Sequence, residues 1–221
     1  MTPEDLATQP PSRPLLRGVL HQAAFVVAFS IGIALVLAAH GARAQLAAGI
    51  FAVSVDAMLA VSALYHRVTW GPRARMWMRR ADHGCIYLLI AGTYTPIGLV
   101  DLHGTMQWVV LTVVWTAAIV AALIKIFWVR TPGWLTAVIA IGLGWAGVAA
   151  LPQVDHAAGL YAVLLLGVGG VAYTVGGIIY ALRRPDPAPR VFGYHELFHA
   201  LTVVAISLQY CAIAFFVLHV G

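Results

Sequence analysis

Three of the nine histidines in this chain of 221 residues stand where they could share one cation. His195 and His199 sit four apart in His195-Glu196-Leu197-Phe198-His199, a spacing that places both rings on one face of a helix. His66 closes the segment Ser62-Ala63-Leu64-Tyr65-His66, with Ser62 one turn before it, and Asp82 leads Asp82-His83-Gly84. Three imidazoles with an open fourth position form an arrangement used by catalytic zinc. Zinc suits imidazole ligands and brings the pKa of bound water towards 7, while Asp82 could orient a ligand or that water. The same five residues also spell H-E-x-x-H, in which Glu196 would be the general base of a metalloprotease. Against that alternative, no Asp-Gly segment of the kind intramembrane zinc proteases use for a further ligand is present.

Membrane helices must carry these groups. Hydrophobic residues make up 62% of the chain and charged residues 10%, where soluble domains carry about a quarter charged, and the mean hydropathy is +0.89. A soluble fold of this length has too little interior to hide so much apolar surface. A bilayer core takes roughly 20 apolar residues per helix. Apolar runs between charges give seven candidate spans, near 19–39, 46–66, 83–101, 107–128, 134–152, 157–181 and 196–219. The expected fold is therefore an all-α integral membrane bundle of seven transmembrane helices, one domain over 18–221. Residues 1–17, with Pro3, Pro10, Pro11, Pro14, Glu4 and Asp5 ahead of any apolar run, read as a disordered cytoplasmic tail and not as a signal peptide. Cys85 and Cys211 both lie inside apolar runs, so neither a disulfide framework nor a CxxC metal site is expected.

Charge sets the orientation. The net charge of +5 does not point to nucleic acid, because the basic residues lie in short loops and not on a soluble face. All of the 13 lysines and arginines except Arg43 fall in the N-terminal tail or in the even-numbered loops and their borders. The positive-inside rule makes those loops cytoplasmic, so seven spans run N-in and C-out in the inner membrane. The second span then ends at the cytoplasmic side, where the third and seventh begin. His66, Asp82, His195 and His199 are expected at one depth near the inner leaflet.

The remaining polar groups are weighed by position. Asp56 falls at mid-depth in the second span and is expected as a neutral packed acid or a cavity group. His83 points about 100° from Asp82 along a helix and reads as interfacial. His40, His103, His156, His219, Asp101 and Asp155 are expected solvated on the outer surface. Pro96 should kink the third span. Glycines in the fifth and sixth spans, among them Gly169, Gly176 and Gly177, suit close helix packing in lipid.

Ser62-x-x-x-His66, then Asp82 followed by Ala91-Gly92-Thr93-Tyr94-Thr95-Pro96, then His195-x-x-x-His199, together resemble the haemolysin III branch of the progestin and adipoQ receptor (PAQR) family. The resemblance runs from Arg17-Gly18 to the last span. It implies that His66, His195 and His199 bind zinc, with Asp82 beside them or on the bound water and Ser62 close by. Those relatives are in turn similar to alkaline ceramidases, which use a comparable Ser, Asp and three-His set to hydrolyse a lipid amide. Position 196 varies in the family, which favours accident for Glu196. Gln209 departs from the many relatives that carry another His there, at a position that is not a metal ligand.

The expected function is zinc-dependent hydrolysis of a lipid amide or ester in membrane lipid homeostasis, with His66, His195 and His199 as metal ligands and Asp82 and Ser62 as catalytic groups. Zinc is the expected cofactor and membrane lipids the expected partners; no nucleic acid is. Two alternatives from other classes accompany it: a cytolytic or pore-forming protein, as the haemolysin name implies, and a non-catalytic regulator of membrane fluidity stabilised by zinc. Neither an oligomeric state nor a particular lipid is written in the sequence.

Overall fold

Inside a bilayer a backbone amide has no water to bond, so an apolar segment must close its hydrogen bonds within itself. The computed structural model describes residues 14–128 and 132–220, and among them seven helices are long and apolar enough to cross a membrane. They are α1 (Val19–Ala38), α2 (Ala42–Arg67), α3 (Pro72–Asp101), α4 (Gly104–Phe127), α5 (Gly133–Ala158), α6 (Leu160–Leu182) and α7 (Tyr194–Val217). Residues 1–13 of the expected tail, and Arg130 of the expected cytoplasmic set, lie outside the described residues. The last four tail residues form a turn, with the Leu15 and Leu16 amides donating to the carbonyls of Arg190 and Val191 at 3.0 and 3.1 Å.

Consecutive helices pack side by side from α1 through α4 and again from α5 through α7, and α1 returns against α7 to close the bundle. Side chains such as Phe29, Leu37, Val53, Trp108, Phe127 and Leu164 point outward, as lipid-facing residues must when no solvent penalises them. The helix that lies deepest is α3. Its small and hydroxylic residues Gly84, Ala91, Gly92, Thr93 and Thr95 are buried, which lets neighbouring backbones approach. The apolar interior forms two clusters, one around Tyr87, Val114 and Leu143 and one around Phe51, Leu59 and Ile213.

Two interruptions shape the interior. Pro96 ends the regular part of α3, and a π turn over Ile97–Asp101 follows, the wide turn expected where the ladder loses a donor. Asp101 is consequently buried, which corrects its assignment to the solvated outer surface; the π turn brings it inward, beside the buried Leu102. His40, His103, His156, His219 and Asp155 are exposed as expected. In α5, a 3-10 stretch over Ala146–Ala150 separates Gly133–Trp145 from Leu151–Ala158. Tyr94 bridges that break: its hydroxyl donates to the Gly144 carbonyl at 2.5 Å and accepts from the Gly147 amide at 3.0 Å.

The third helix also begins earlier than hydropathy suggests. Pro72 occupies its first turn behind Gly71, where a missing amide costs nothing, and Arg73, Arg75, Arg79 and Arg80 therefore ride on helix and not in a loop. Long basic side chains can do this because their stems lie along apolar surface while their heads reach water. Arg80 stacks over Trp77 at 4.4 Å.

Candidate metal centre

Three helix ends and the side of a fourth helix meet at one end of the bundle. The last turn of α2 carries His66, the first turns of α7 carry His195 and His199, the first turn of α1 carries His21, and α3 passes between them with Asp82. Each of His66, His195 and His199 offers a ring nitrogen, and those atoms all lie within 4.8 Å of one another. The Nε2 atoms of His66 and His195 are 3.2 Å apart. A tetrahedral ion with metal–nitrogen bonds of about 2.0–2.1 Å holds its ligand nitrogens roughly 3.3–3.4 Å apart, so this edge already has the required length. His199 is only 2% exposed, and its Nδ1 has no hydrogen-bond partner among the described residues. Three convergent imidazoles, one holding an uncommitted buried nitrogen, fit a small tetrahedral cation with one position left open.

Asp82 and Ser62 lie against this trio. The carboxylate Oδ2 of Asp82 stands 4.0 Å from His66 Nε2, and the Ser62 hydroxyl is the side-chain hydrogen-bond partner of Asp82. Both residues are buried. The structure thus brings His66, His195, His199, Asp82 and Ser62 together at one end of the bundle. His83, expected at the interface, is half-buried and lines the cavity described below. Asp56 is half-buried beside Gly32 of α1 and does not line that cavity.

His21 and Arg17 were not singled out for chemistry from the sequence. The ring of His21 is 2% exposed, stacks on His199 with centroids 3.8 Å apart, and places Nδ1 2.9 Å from Ser62 Oγ. His21 Nδ1 and the Ser62 hydroxyl share one hydrogen bond, whose direction is set by the imidazole tautomer. A line of hydrogen bonds then runs His21, Ser62, Asp82. The signal was available: an ionisable residue within a span is a functional candidate by default, and position 21 opens a span that starts at this same end.

Glu196, next to His195, is held by other partners. Its side chain is 0% exposed; Oε2 accepts from the Gly193 amide at 2.8 Å, and Oε1 pairs with Arg17 Nε at 2.5 Å. The first bond is half of a capping box. Asp186 Oδ1 caps the neighbouring Tyr194 amide at 2.8 Å, so two carboxylates satisfy the amides that open α7. Oε2 is taken by the α7 cap and Oε1 stands against the Arg17 guanidinium as an ion pair without a hydrogen bond, and the residue does not line the cavity. These contacts make it a helix cap and a clasp between α7 and the start of α1. Gly18, next to Arg17, has φ +78° and lies so close to α2 that a Cβ there would come within 2.6 Å of His66 Cβ.

From the trio a cavity of about 190 Å³ extends along the inner face of α3, reaching from His195, His199 and Asp82 at the metal end to Leu102 and Val154 at the other. Asp82 to Leu102 is some 20 residues of helix, about 30 Å by helix rise. The walls beyond the metal end are dominated by apolar side chains such as Leu89, Ile97, Val110 and Leu166.

The fold and this centre define a class, that of multi-pass membrane proteins with a tri-histidine group at the polar end of an internal apolar cavity. Comparison with known proteins supplies the family. The chain belongs to the family described as Haemolysin-III related, whose model matches residues 10–210, within the PAQR superfamily. It is similar to Hemolysin-3 of Bacillus cereus, 33% identical over 181 residues that cover 81% of this chain and 79% of the relative. It is also similar to a Hemolysin-3 homolog of Bacillus subtilis (strain 168), 29% identical over 167 residues, with 76% and 75% covered.

Proposed function

We propose that the chain is a zinc-dependent hydrolase of a lipid amide or ester, set in the inner membrane with its metal end towards the cytoplasm. The observation that carries this reading is the convergence of three imidazoles and Asp82 where a long apolar cavity turns polar. His66, His195 and His199 would hold the ion. Zinc, when bound, polarises a carbonyl and acidifies water. The protein's own groups do the rest. The cavity holds an acyl chain and excludes bulk water, which presents the scissile carbonyl at the polar end. Asp82 takes a proton from the attacking water at its carboxylate and returns it to the leaving group. Ser62 fixes the Asp82 carboxylate by its hydrogen bond, and His21 fixes Ser62. The orientation follows from the basic residues, which gather at the metal end, Arg43 standing apart at the other.

The test is metal analysis of the purified protein joined to a mass-spectrometric screen against ceramides and phospholipids. One zinc per chain and release of a fatty acid from at least one lipid class are expected, and His195→Ala with His199→Ala should remove both. Full zinc in that double variant would sink the centre. Zinc-loaded protein that turns over none of these lipids would instead leave zinc a structural role in a regulator of membrane fluidity. The relatives' printed name, Hemolysin-3, raises direct cytolysis as a second reading. Lysis that survives loss of all three histidines would not be a product of hydrolysis.

A further inference from the structure

We propose that Tyr173 and Gln209 form a polar station partway along the cavity that reads a hydroxyl on the chain of the bound lipid, which narrows the substrate to a lipid with a hydroxylated acyl chain; the inference rests on the lipid-hydrolase reading above. Both residues line the cavity. Tyr173 lies on α6, and its ring crosses the interior to pack against the cluster around Phe51, Leu59 and Ile213. Its hydroxyl oxygen is buried and has no hydrogen-bond partner among the described residues. Gln209 lies on α7, is half-buried, and makes no side-chain hydrogen bond among the described residues. A hydroxyl shut away from water without a partner is costly, and a buried tyrosine usually has one.

The register of α6 on α7 brings these two side chains towards one depth. The helices are consecutive spans and run antiparallel. A Cβ on Gly176 would meet Leu201 and Phe198 at 3.3 Å, and one on Gly169 would meet Gln209 Cγ at 3.2 Å and the Ala205 carbonyl at 3.3 Å. The missing side chain at Gly169 is what leaves the Gln209 amide its room beside α6. Gly169 precedes Tyr173 by four residues and so shares its face of the helix. Helical side chains lean back over the turn before their own. Tyr173 therefore leans towards Gly169 and Gln209 towards Ala205, each approaching the level of the other. Gln209 follows His199 by ten residues of α7, about 15 Å by helix rise.

The other polar side chains along this stretch are engaged within the chain. Thr93, Thr174 and Thr202 donate to carbonyls four residues back in their own helices, Trp145 donates to Thr174, and Tyr94 donates to Gly144. The described lining residues include no Asp, Glu, Lys or Arg other than Asp82, and their four histidines stand at the metal end. A charged group would thus find no counter-charge at the level of Tyr173 and Gln209. A neutral hydroxyl both donates and accepts, as the phenol and the primary amide do. A plain hydrocarbon chain fits the apolar wall but leaves the Tyr173 hydroxyl unsatisfied. A site built to bond a hydroxyl rejects the analogue that lacks it, because its own polar group is then left unpaired. An acyl chain with its carbonyl at the tri-histidine group passes Tyr173 and Gln209 in its middle portion.

The experiment uses the full chain in detergent, offered an equimolar mixture of ricinoleic and oleic acids, which differ by one mid-chain hydroxyl. Native mass spectrometry reads the ratio retained, and zinc content and melting temperature are read on the same samples. Tyr173→Phe should lower the ricinoleic-to-oleic ratio about three- to tenfold, as the loss of one hydrogen bond implies. Gln209→Leu provides a second variant on the facing helix and should lower it as well. Detergent takes up the two acids alike in every sample, so a change in ratio between variants belongs to the protein. Without either acid, Tyr173→Phe should melt no lower than wild type, since the hydroxyl it removes bonds nothing within the chain. A ratio equal in wild type and both variants would overturn the inference. So would a ligand-free Tyr173→Phe protein that melts well below wild type, because the hydroxyl would then be bonded within the chain. The two readings fail separately. One zinc per chain and hydrolysis with an unchanged ratio would leave the hydrolase standing alone, whereas a Tyr173-dependent ratio in a protein without zinc would leave the hydroxyl station alone.

Discussion

Glu196→Gln removes one negative charge from the start of α7 while keeping the side chain's shape. In the wild type, Oε1 meets Arg17 at 2.5 Å, and Oε2 accepts from the Gly193 amide at 2.8 Å in a side chain that is fully buried. Glutamine retains an acceptor for the amide but cannot balance Arg17. Breaking a buried ion pair by neutralising one partner costs about 3–5 kcal/mol. The Arg17 side chain is 21% exposed and regains some hydration, so the lower end, about 3 kcal/mol, applies. For a chain of this size about 2–4 °C of melting temperature accompanies each kcal/mol, which gives a fall of about 6–12 °C. Thermal unfolding in detergent, followed by intrinsic fluorescence, reads this directly. Arg17→Gln should produce a similar fall, and the double variant should fall short of their sum, because both remove one interaction. Zinc content should remain at the wild-type level, since no ligand has changed. A Glu196→Gln protein melting within about 2 °C of wild type, yet devoid of hydrolytic activity, would refute the clasp and restore Glu196 as a general base.

The other predictions concern the centre itself. Structural zinc sites bind with about 10–16 kcal/mol spread over four ligands, so His199→Ala should weaken zinc by between about a hundred- and a thousandfold, measured by competition with a chelator; unchanged affinity would remove His199 from the ligand set. Zinc affinity should also fall on acidification, because proton and metal compete for the same nitrogens; an affinity independent of pH would argue against histidine ligands. Gly18→Ala forces an L-residue into φ +78° and pushes a Cβ against His66, so metal affinity should drop by about 10–100-fold, as when a ligand's support is disturbed, and wild-type affinity would show that α2 does not need this contact. His21→Phe keeps a ring stacked on His199 but loses the bond to Ser62, whereas His21→Ala loses both. The first should reduce turnover with zinc retained and the second should also lower zinc affinity, so indistinguishable variants would mean the stacking is idle.

Seven spans were legible in the amino-acid sequence because hydropathy is local: each run of about 20 apolar residues must become a helix in lipid whatever its neighbours are. The spacing of His195 and His199 belongs to the same kind of information, since the helix period alone puts them on one face. Alternation of the spans placed His66, Asp82 and the α7 histidines at one end without any contact being known. Depth follows from counting; lateral position does not. Which helix lies beside which, and therefore which side chains meet, depends on packing between segments far apart in the chain. For that reason Glu196 looked like part of an H-E-x-x-H motif until Arg17, 179 positions away by numbering, was found on its carboxylate. Hydropathy likewise ended the third span at its arginines, although helix continues back to Pro72, and it left Asp101 outside, although a π turn carries it in. Lys125 counted only as a topogenic charge, and its burial beside the Thr136 hydroxyl became visible only once α4 and α5 were placed side by side. His21 entered the site because the closure of α1 against α7 lays its ring on His199, a contact that no periodicity within α1 could disclose.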